Sequence, residues 1–306
     1  MRALRLATRA SPLALWQARH VAAQLRGAHP GLQVSLVPLT STGDADRVTP
    51  LYASSTVGLF VREIQAAVLD GRADAGVHSG KDLPTGLPAG LVLTAFLKRA
   101  DPRDALVGGP ELASLPPGAT IGTSSLRRQH QLAALRPDLR FVAIRGNVDT
   151  RLRKVAEGAC TATVLAMAGL HRLGLVQAAR AVALDPQTQC IPAPAQGAVA
   201  VDCRSDDAAT RALLAALDHR ETHRAVTVER AVLAALDGGC SLPLGCYVRR
   251  LRDGRWRGDA ALGSATGLRV AQAEGGLDGM AERLLSGLKE RPEVRESGSP
   301  EVGKSP

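Results

Sequence analysis

Four stretches of this chain set charged, hydroxyl or thiol side chains at places where a fold makes turns. "GTSSLRRQHQL", residues 122–132, runs Gly122, Thr123, Ser124 and Ser125 into a helix whose first turn carries Arg127 and Arg128. Free N–H groups, the positive end of the helix dipole and two guanidinium forks would converge there, which suits a carboxylate or phosphate. Two arginines in a first turn are unfavourable for the helix itself, and an anionic ligand would relieve that cost. "RGNVDTR", residues 145–151, repeats the device, with Arg145 at a strand end and Arg151 one turn into the next helix. Arg9, ahead of Ser11, makes a third instance. Three such junctions point to a ligand carrying several negative charges.

"GVHSGKD", residues 76–82, departs from a nucleotide phosphate loop. That loop needs four residues between its glycines and Ser or Thr after the lysine. Here three intervene and Asp82 follows Lys81. What remains is a lysine beside a carboxylate at the C-terminal end of a buried strand, where α/β sheets place ligands; a solvated ion pair is the alternative. "LDGGCSLPLGC", residues 236–246, sets Cys240 directly behind Gly238 and Gly239, with Cys246 beyond. A disulfide, a metal ligand, a nucleophile and an inert core thiol are all open on the spacing.

Composition narrows these choices. The 306 residues exceed the usual single core, which predicts two or three domains. Five scattered cysteines argue against a disulfide framework, and none forms the CxxC of a structural zinc site. In "HRETH" Glu221 falls two positions after His219, not one, so His219 and His223 read as helix-surface residues and no metal is expected. The net charge of +9 raises nucleic acid as a partner, but aromatics make up only 2% and the arginines are dispersed. Small anions suit that dispersal better than a polymer. No apolar run approaches the ~18 residues of a membrane span. The N-terminus lacks a leader's apolar core, so the expected location is cytoplasmic.

The elements that must position these residues alternate strand and helix. "ALRLAT", "LQVSLVPLT", "ADAGVHS" and "LVLTAFL" read as strands, with a helix capped by Ser11-Pro12 and another over "GLFVREIQAAVLDG". The pattern restarts at "ATIGTS", then "FVAIRG" and "CTATVLAMAGL". The fold class expected is α/β: two similar lobes around a cleft, each a mainly parallel sheet covered by helices, plus a smaller C-terminal α+β domain. A long helix over 218–238, a three-strand meander around 247–272 and a last helix over 280–289 would build that third domain. Residues 1–98 with 197–217, 99–196 and 218–290 are the expected units, and 291–306 an unstructured tail.

Taken in order, "ATRASPLALWQA", "GLFVREI", "RADAGVHSGKDLP", "DPRDALV", "GTSSLRRQHQLAALRPDL", "RGNVDTRL", "LAMAGLHRLGL", "AQGAVAVDCR" and "LDGGCSLPLG" resemble the porphobilinogen deaminase family, also called hydroxymethylbilane synthases. The resemblance runs from residue 6 to about 245. It implies periplasmic-binding-protein-like lobes, a monomer, and a dipyrromethane cofactor joined by a thioether to Cys240, whose bare glycine turn lets a bulky pyrrole approach. Cys246, past the turn on a strand, would be a packed thiol.

The implied reaction expels ammonia from porphobilinogen and joins the pyrroles head to tail into hydroxymethylbilane. By the same resemblance Asp82 is the catalytic carboxylate, and Lys81, Asp82, Thr123, Ser125, Arg127, Arg128 and Gly146 hold the cofactor. Arg9, Ser11, Arg145, Arg151 and Gln196 hold substrate carboxylates, with Gly197 beside Gln196 in the cleft.

The chain departs from the family's pattern in three places. "LYASSTV" offers no lysine over 52–57, where a mobile lid is usual; Gly80 replaces a larger apolar residue; and Ala195 replaces a glycine. The first two predict reduced turnover with fold and cofactor attachment intact. They leave, as alternative, a weakly active or non-catalytic bilobal binding protein for anionic pyrroles.

Overall fold

The computed structural model describes residues 3–39, 59–237 and 242–289. The segment 52–57, the Gly238–Gly239–Cys240 turn and the tail over 291–306 lie outside the described residues.

Strand β1 (Ala3–Arg9) buries Leu4, Leu6 and Ala7 and runs into helix α1 (Pro12–Ala28). The Ser11 hydroxyl oxygen accepts from the Ala14 N–H at 3.4 Å, with Pro12 in the first turn, so the expected cap forms. Ala18, Val21, Ala22 and Leu25 turn one face of α1 onto the sheet. Strand β2 (Gln33–Leu39) returns parallel to β1. Helix α2 (Leu59–Leu69) buries Val61, Ile64 and Val68 at helical spacing, and strands β3 (Ala75–Ser79) and β4 (Leu91–Phe96) complete this stretch.

The second lobe repeats the plan. Strand β5 (Asp104–Val107) precedes β6 (Thr120–Gly122), helix α3 (Leu126–Leu135), β7 (Arg140–Val142), helix α4 (Val148–Ala156), β8 (Ala162–Ala166), helix α5 (Met167–Arg172) and β9 (Val182–Ala183). Strand β10 (Val199–Arg204) then goes back to the first sheet, followed by helix α6 (Ala208–Ala215).

The two sheets have the orders β2-β1-β3-β10-β4 and β7-β6-β8-β5-β9. In each, four strands run one way and one antiparallel strand, reached by crossing between lobes, lies among them: β10 in the first, β5 in the second. The expectation of mainly parallel sheets omitted those two strands. Both are short and almost wholly buried, so they show no alternation to read.

The crossings lie over 97–103 and 190–198, and a single carboxylate ties them to the third domain. That domain packs helices α7 (Arg220–Ala235) and α8 (Met280–Lys289) on an antiparallel meander of β11 (Leu244–Arg250), β12 (Trp256–Ser264) and β13 (Gly267–Gly275). Its core gathers Val232, Leu244, Val248, Ala260, Met280 and Leu284. His219 does not lie on the surface of α7 as expected; it caps the helix, its Nδ1 accepting from the Thr222 N–H at 3.2 Å.

Glu229 on α7 is wholly buried. It accepts from Arg99 Nη1 at 2.6 Å, Arg99 Nη2 at 3.1 Å, the Ala195 N–H at 2.7 Å and the Val248 N–H at 2.8 Å. Both crossings and the third sheet therefore close on one side chain. Glu229→Gln removes the charge that Arg99 faces, and a stability loss of about 3 kcal/mol in denaturant unfolding is expected.

Candidate functional site

The expected site residues sit mostly in turns after parallel strands or in the first turn of the helix that follows; Gln196 instead lies on the crossing over 190–198. Lys81 and Asp82 occupy a short 3-10 turn, Gly80–Asp82, following β3. Asp82 is exposed and Lys81 half-buried. Arg9 ends β1 and is half-buried.

Across the interlobe space, Thr123 to Ser125 link β6 to α3. Thr123 is buried and its hydroxyl oxygen accepts from the Ser125 N–H at 3.2 Å, so it shapes the turn. Ser125 is the N-cap of α3, but its hydroxyl makes no cap bond. Arg145 and Gly146 precede α4. Gly146 has φ +113°, and a Cβ there would stand 2.6 Å from Thr150, so only glycine fits the turn. Asn147 Oδ1 caps the helix by accepting from Thr150 N at 2.9 Å, and Arg151 Nε donates to the Gly146 carbonyl at 2.9 Å.

Arg127 and Arg128 require a correction. The charge of that helix turn was expected to need an outside anion, but the protein supplies one in Asp104, wholly buried at the start of β5. Arg127 Nη1 lies 2.7 Å from Asp104 Oδ2, and Arg128 Nη2 lies 2.7 Å from Asp104 Oδ1. Arg127 Nη1 also donates to the Ile191 carbonyl at 2.8 Å, and Arg128 Nη1 to the Val164 carbonyl at 2.7 Å.

Gln196 joins the same network rather than an open cleft wall. It is buried, and its Nε2 donates to Asp104 Oδ1 at 2.9 Å and to the Pro102 carbonyl at 2.8 Å. Burial pushes the Asp104 carboxyl upward, but Arg127 and Arg128 hold it far below the usual carboxylate range. Sequence reasoning gave Asp104 no role. The one available signal was an acidic residue opening a buried strand in "DALV", which demands a cation.

One carboxylate cannot balance the cations gathered here. Burial pushes the Lys81 ammonium down to about 8; Asp82 and Asp104 oppose this, while Arg128 and Arg127 add to it. Burial likewise lowers Arg151 to about 10, with Arg128 adding to the shift and Asp82 opposing it. Groups of both lobes thus act on one another across a shared space. Arg145 Nη2 is buried with no hydrogen-bond partner among the described residues. Lys81, Arg127, Arg128, Arg145 and Arg151 stand against Asp82 and Asp104, a surplus of positive charge that a polycarboxylate would neutralise.

The departures at Gly80 and Ala195 prove to be neighbours. A Cβ on Gly80 would stand 3.1 Å from Ala195 Cβ, 3.2 Å from the Ala195 carbonyl and 3.3 Å from the Ala198 carbonyl. Ala195 is wholly buried with φ 60°, the left-handed region that glycine favours. The Ala195 methyl therefore occupies the space next to Gly80, and Gly80 N–H donates to the Ala198 carbonyl at 2.9 Å. The turn that carries Asp82 is packed rather than loosened.

The described cysteines are closed to chemistry. Cys160, Cys190, Cys203 and Cys246 are free thiols and all buried. Burial, with Asp104 adding to it, pushes Cys190 up to about 12, and burial holds Cys246 well above its ordinary value. Among the described residues no group of three His, Cys, Asp or Glu is placed to hold a metal ion. No described helix is long and apolar enough to cross a membrane.

Two α/β lobes joined by paired crossings, with cations of both lobes acting on one another and a small α+β domain beside them, define a bilobal α/β protein. The chain belongs to the porphobilinogen deaminase family. Residues 4–212 match the family's dipyrromethane cofactor binding domain and residues 223–284 its C-terminal domain. The family's proteins are transferases of tetrapyrrole biosynthesis with a dipyrromethane cofactor.

Solved structures similar to the chain include an arginine-specific periplasmic binding protein of Salmonella typhimurium. It is 11% identical, with 73% of this chain and 94% of that one covered and a TM-score of 0.37. A methionine-binding protein is 13% identical over 74% and 94% of the two chains, with a TM-score of 0.41. The L-cystine solute receptor of Neisseria gonorrhoeae is 14% identical over 70% and 85%, with a TM-score of 0.39. Likenesses this distant do not bear on ligand or activity.

Two predictions follow from the packing and the charges. Gly80→Ala alone should cost about 1–2 kcal/mol by overpacking. Adding Ala195→Gly, which opens that space and removes a left-handed alanine, should restore most of the loss in thermal unfolding. In protein lacking the cofactor, affinity for a dicarboxylate should fall as pH rises through about 8, where Lys81 loses its proton. Calorimetric titration at pH 7 and pH 9 measures the drop, absent in Lys81→Met.

Proposed function

We propose that this protein condenses porphobilinogen head to tail into the linear tetrapyrrole hydroxymethylbilane, on a dipyrromethane held by a thioether to Cys240. The observation that carries this reading is the surplus of cations from both lobes around the Lys81–Asp82 turn. Each pyrrole of substrate or product bears an acetate and a propionate, so a growing chain brings the negative charge the cleft lacks. Arg145, with its buried unpartnered nitrogen, fits such a group. When bound, the dipyrromethane supplies a pyrrole carbon free to form the new carbon–carbon bond.

The protein's own residues bind, orient and move protons. Arg9, Ser11, Arg145 and Arg151 take the incoming substrate's carboxylates. Lys81, Ser125, Arg128 and the Gly146 turn take those of the cofactor, with Thr123 shaping the turn. Arg127 and Gln196 act one layer back, through Asp104, by fixing the geometry of Arg128. Breaking the aminomethyl C–N bond releases ammonia and leaves positive charge on the substrate pyrrole. Forming the C–C bond then expels one proton from the attacking pyrrole carbon. The exposed Asp82 carboxylate stabilises the cationic charge at the pyrrole nitrogen, accepts the proton expelled on bond formation and gives it to the aminomethyl nitrogen of the next substrate. Cation-lined walls keep the chain in place between additions.

Intact mass and a peptide map around Cys240 test the anchor: a dipyrromethane increment on that peptide is expected, and a bare thiol in protein from haem-competent cells would overturn the reading. Asp82→Asn should lower kcat for porphobilinogen consumption by about 10²–10⁴. Because Asp82 is exposed, its unfolding temperature should not change.

A further inference from the structure

A second cationic pocket lies on the crossings themselves. A cavity of about 210 Å³ is lined by Trp16 and His20 of α1, Lys98 and Ala100 of the outgoing crossing, and His171 and Arg172 of α5, with Leu97 and Val199 beneath. It touches both lobes, the outgoing crossing and the start of β10. None of the lining residues is acidic.

Four of the lining side chains are basic, and one of them is poorly compensated. Arg172 Nη2 donates to the Gly197 carbonyl at 2.7 Å, and its guanidinium sits 5.6 Å from the Trp16 ring centroid. Neither partner is charged, and among the described residues no carboxylate pairs with Arg172. Burial pushes it down to about 10, which shows the charge to be desolvated without an anion beside it. His20 stacks on Trp16 with centroids 5.0 Å apart and planes at 19°, an indole–imidazole pair beside the Arg172 guanidinium. Asp101, whose charge acts on His171, is already held by Arg103 at 2.7 Å.

The geometry points to a binding site for a small aromatic carboxylate, its ring against Trp16 and His20 and its anion between Lys98 and Arg172. The volume admits one ring with its acid group. A ligand there would touch α1, α5 and the outgoing crossing at once, and so oppose relative motion of the lobes. None of its lining residues belongs to the cleft described above.

The chain has two tryptophans, so Trp256→Phe leaves Trp16 as the only indole reporter. Titrating that full-length protein with pyrrole-2-carboxylate should quench its fluorescence to saturation. Lys98→Ala should weaken the apparent affinity by about fivefold or more, and the neutral amide of the same ring by about tenfold. Arg151→Leu, in the cleft, should leave the titration unchanged. Quenching that never saturates, that is indifferent to Lys98→Ala, or that disappears with Arg151→Leu would overturn the proposal. Should Trp256→Phe fail to fold, equilibrium dialysis of the labelled acid against wild type, Lys98→Ala and Arg151→Leu reads the same three outcomes.

Discussion

The structure depends on a single buried carboxylate that is outnumbered. Asp104 faces Arg127 and Arg128 at 2.7 Å each, out of reach of water. A buried pair of this kind survives only with near-complete hydrogen bonding, and here Gln196 and two backbone carbonyls complete it. One negative charge against two positive ones still leaves a remainder. Lys81, Arg145 and Arg151 add to that remainder from other turns, and Asp82 subtracts only part. The described residues thus carry more positive than negative charge around the Lys81–Asp82 turn.

The same carboxylate also links the two crossings. Asp104 opens β5, the first strand after the chain leaves the first lobe, while Gln196 lies on the segment that brings it back. Glu229 does the equivalent from the third domain, binding Arg99 on one crossing and the Ala195 N–H on the other. Ala195 in turn packs beside Gly80, next to Lys81 and Asp82. A short path of direct contacts therefore leads from the domain that holds Cys240 in sequence to the turn that holds Asp82. Rigidity at the crossings and placement of the carboxylate are one problem with one solution.

Much of this was legible from residues in order. The junctions at Ser11 and over Arg145–Arg151 announce themselves because capping and turn chemistry are local, whereas the Ser125 hydroxyl makes no cap bond. The meander and the amphipathic helices were readable for the same reason, since one solvent-facing side leaves a periodic pattern. Strands β5 and β10 were not, because burial on both faces erases alternation. The HRETH pair was half right: His223 sits on α7, but His219 ends the preceding turn, a boundary that spacing alone does not mark.

Local order in the chain thus determined the elements, the glycine and hydroxyl turns, and the surplus of arginine at those turns. Which cations keep their charge unopposed was decided only by tertiary structure. Asp104 precedes Arg127 by more than twenty residues, and nothing in the intervening sequence says that β5 crosses into the second sheet to meet it. The Gly80–Ala195 exchange has the same character: each looks like a defect alone, and only their contact across the crossing shows one packed volume filled from the other side. Charge balance and packing are properties of neighbours in space, and sequence supplies the neighbours only through the fold.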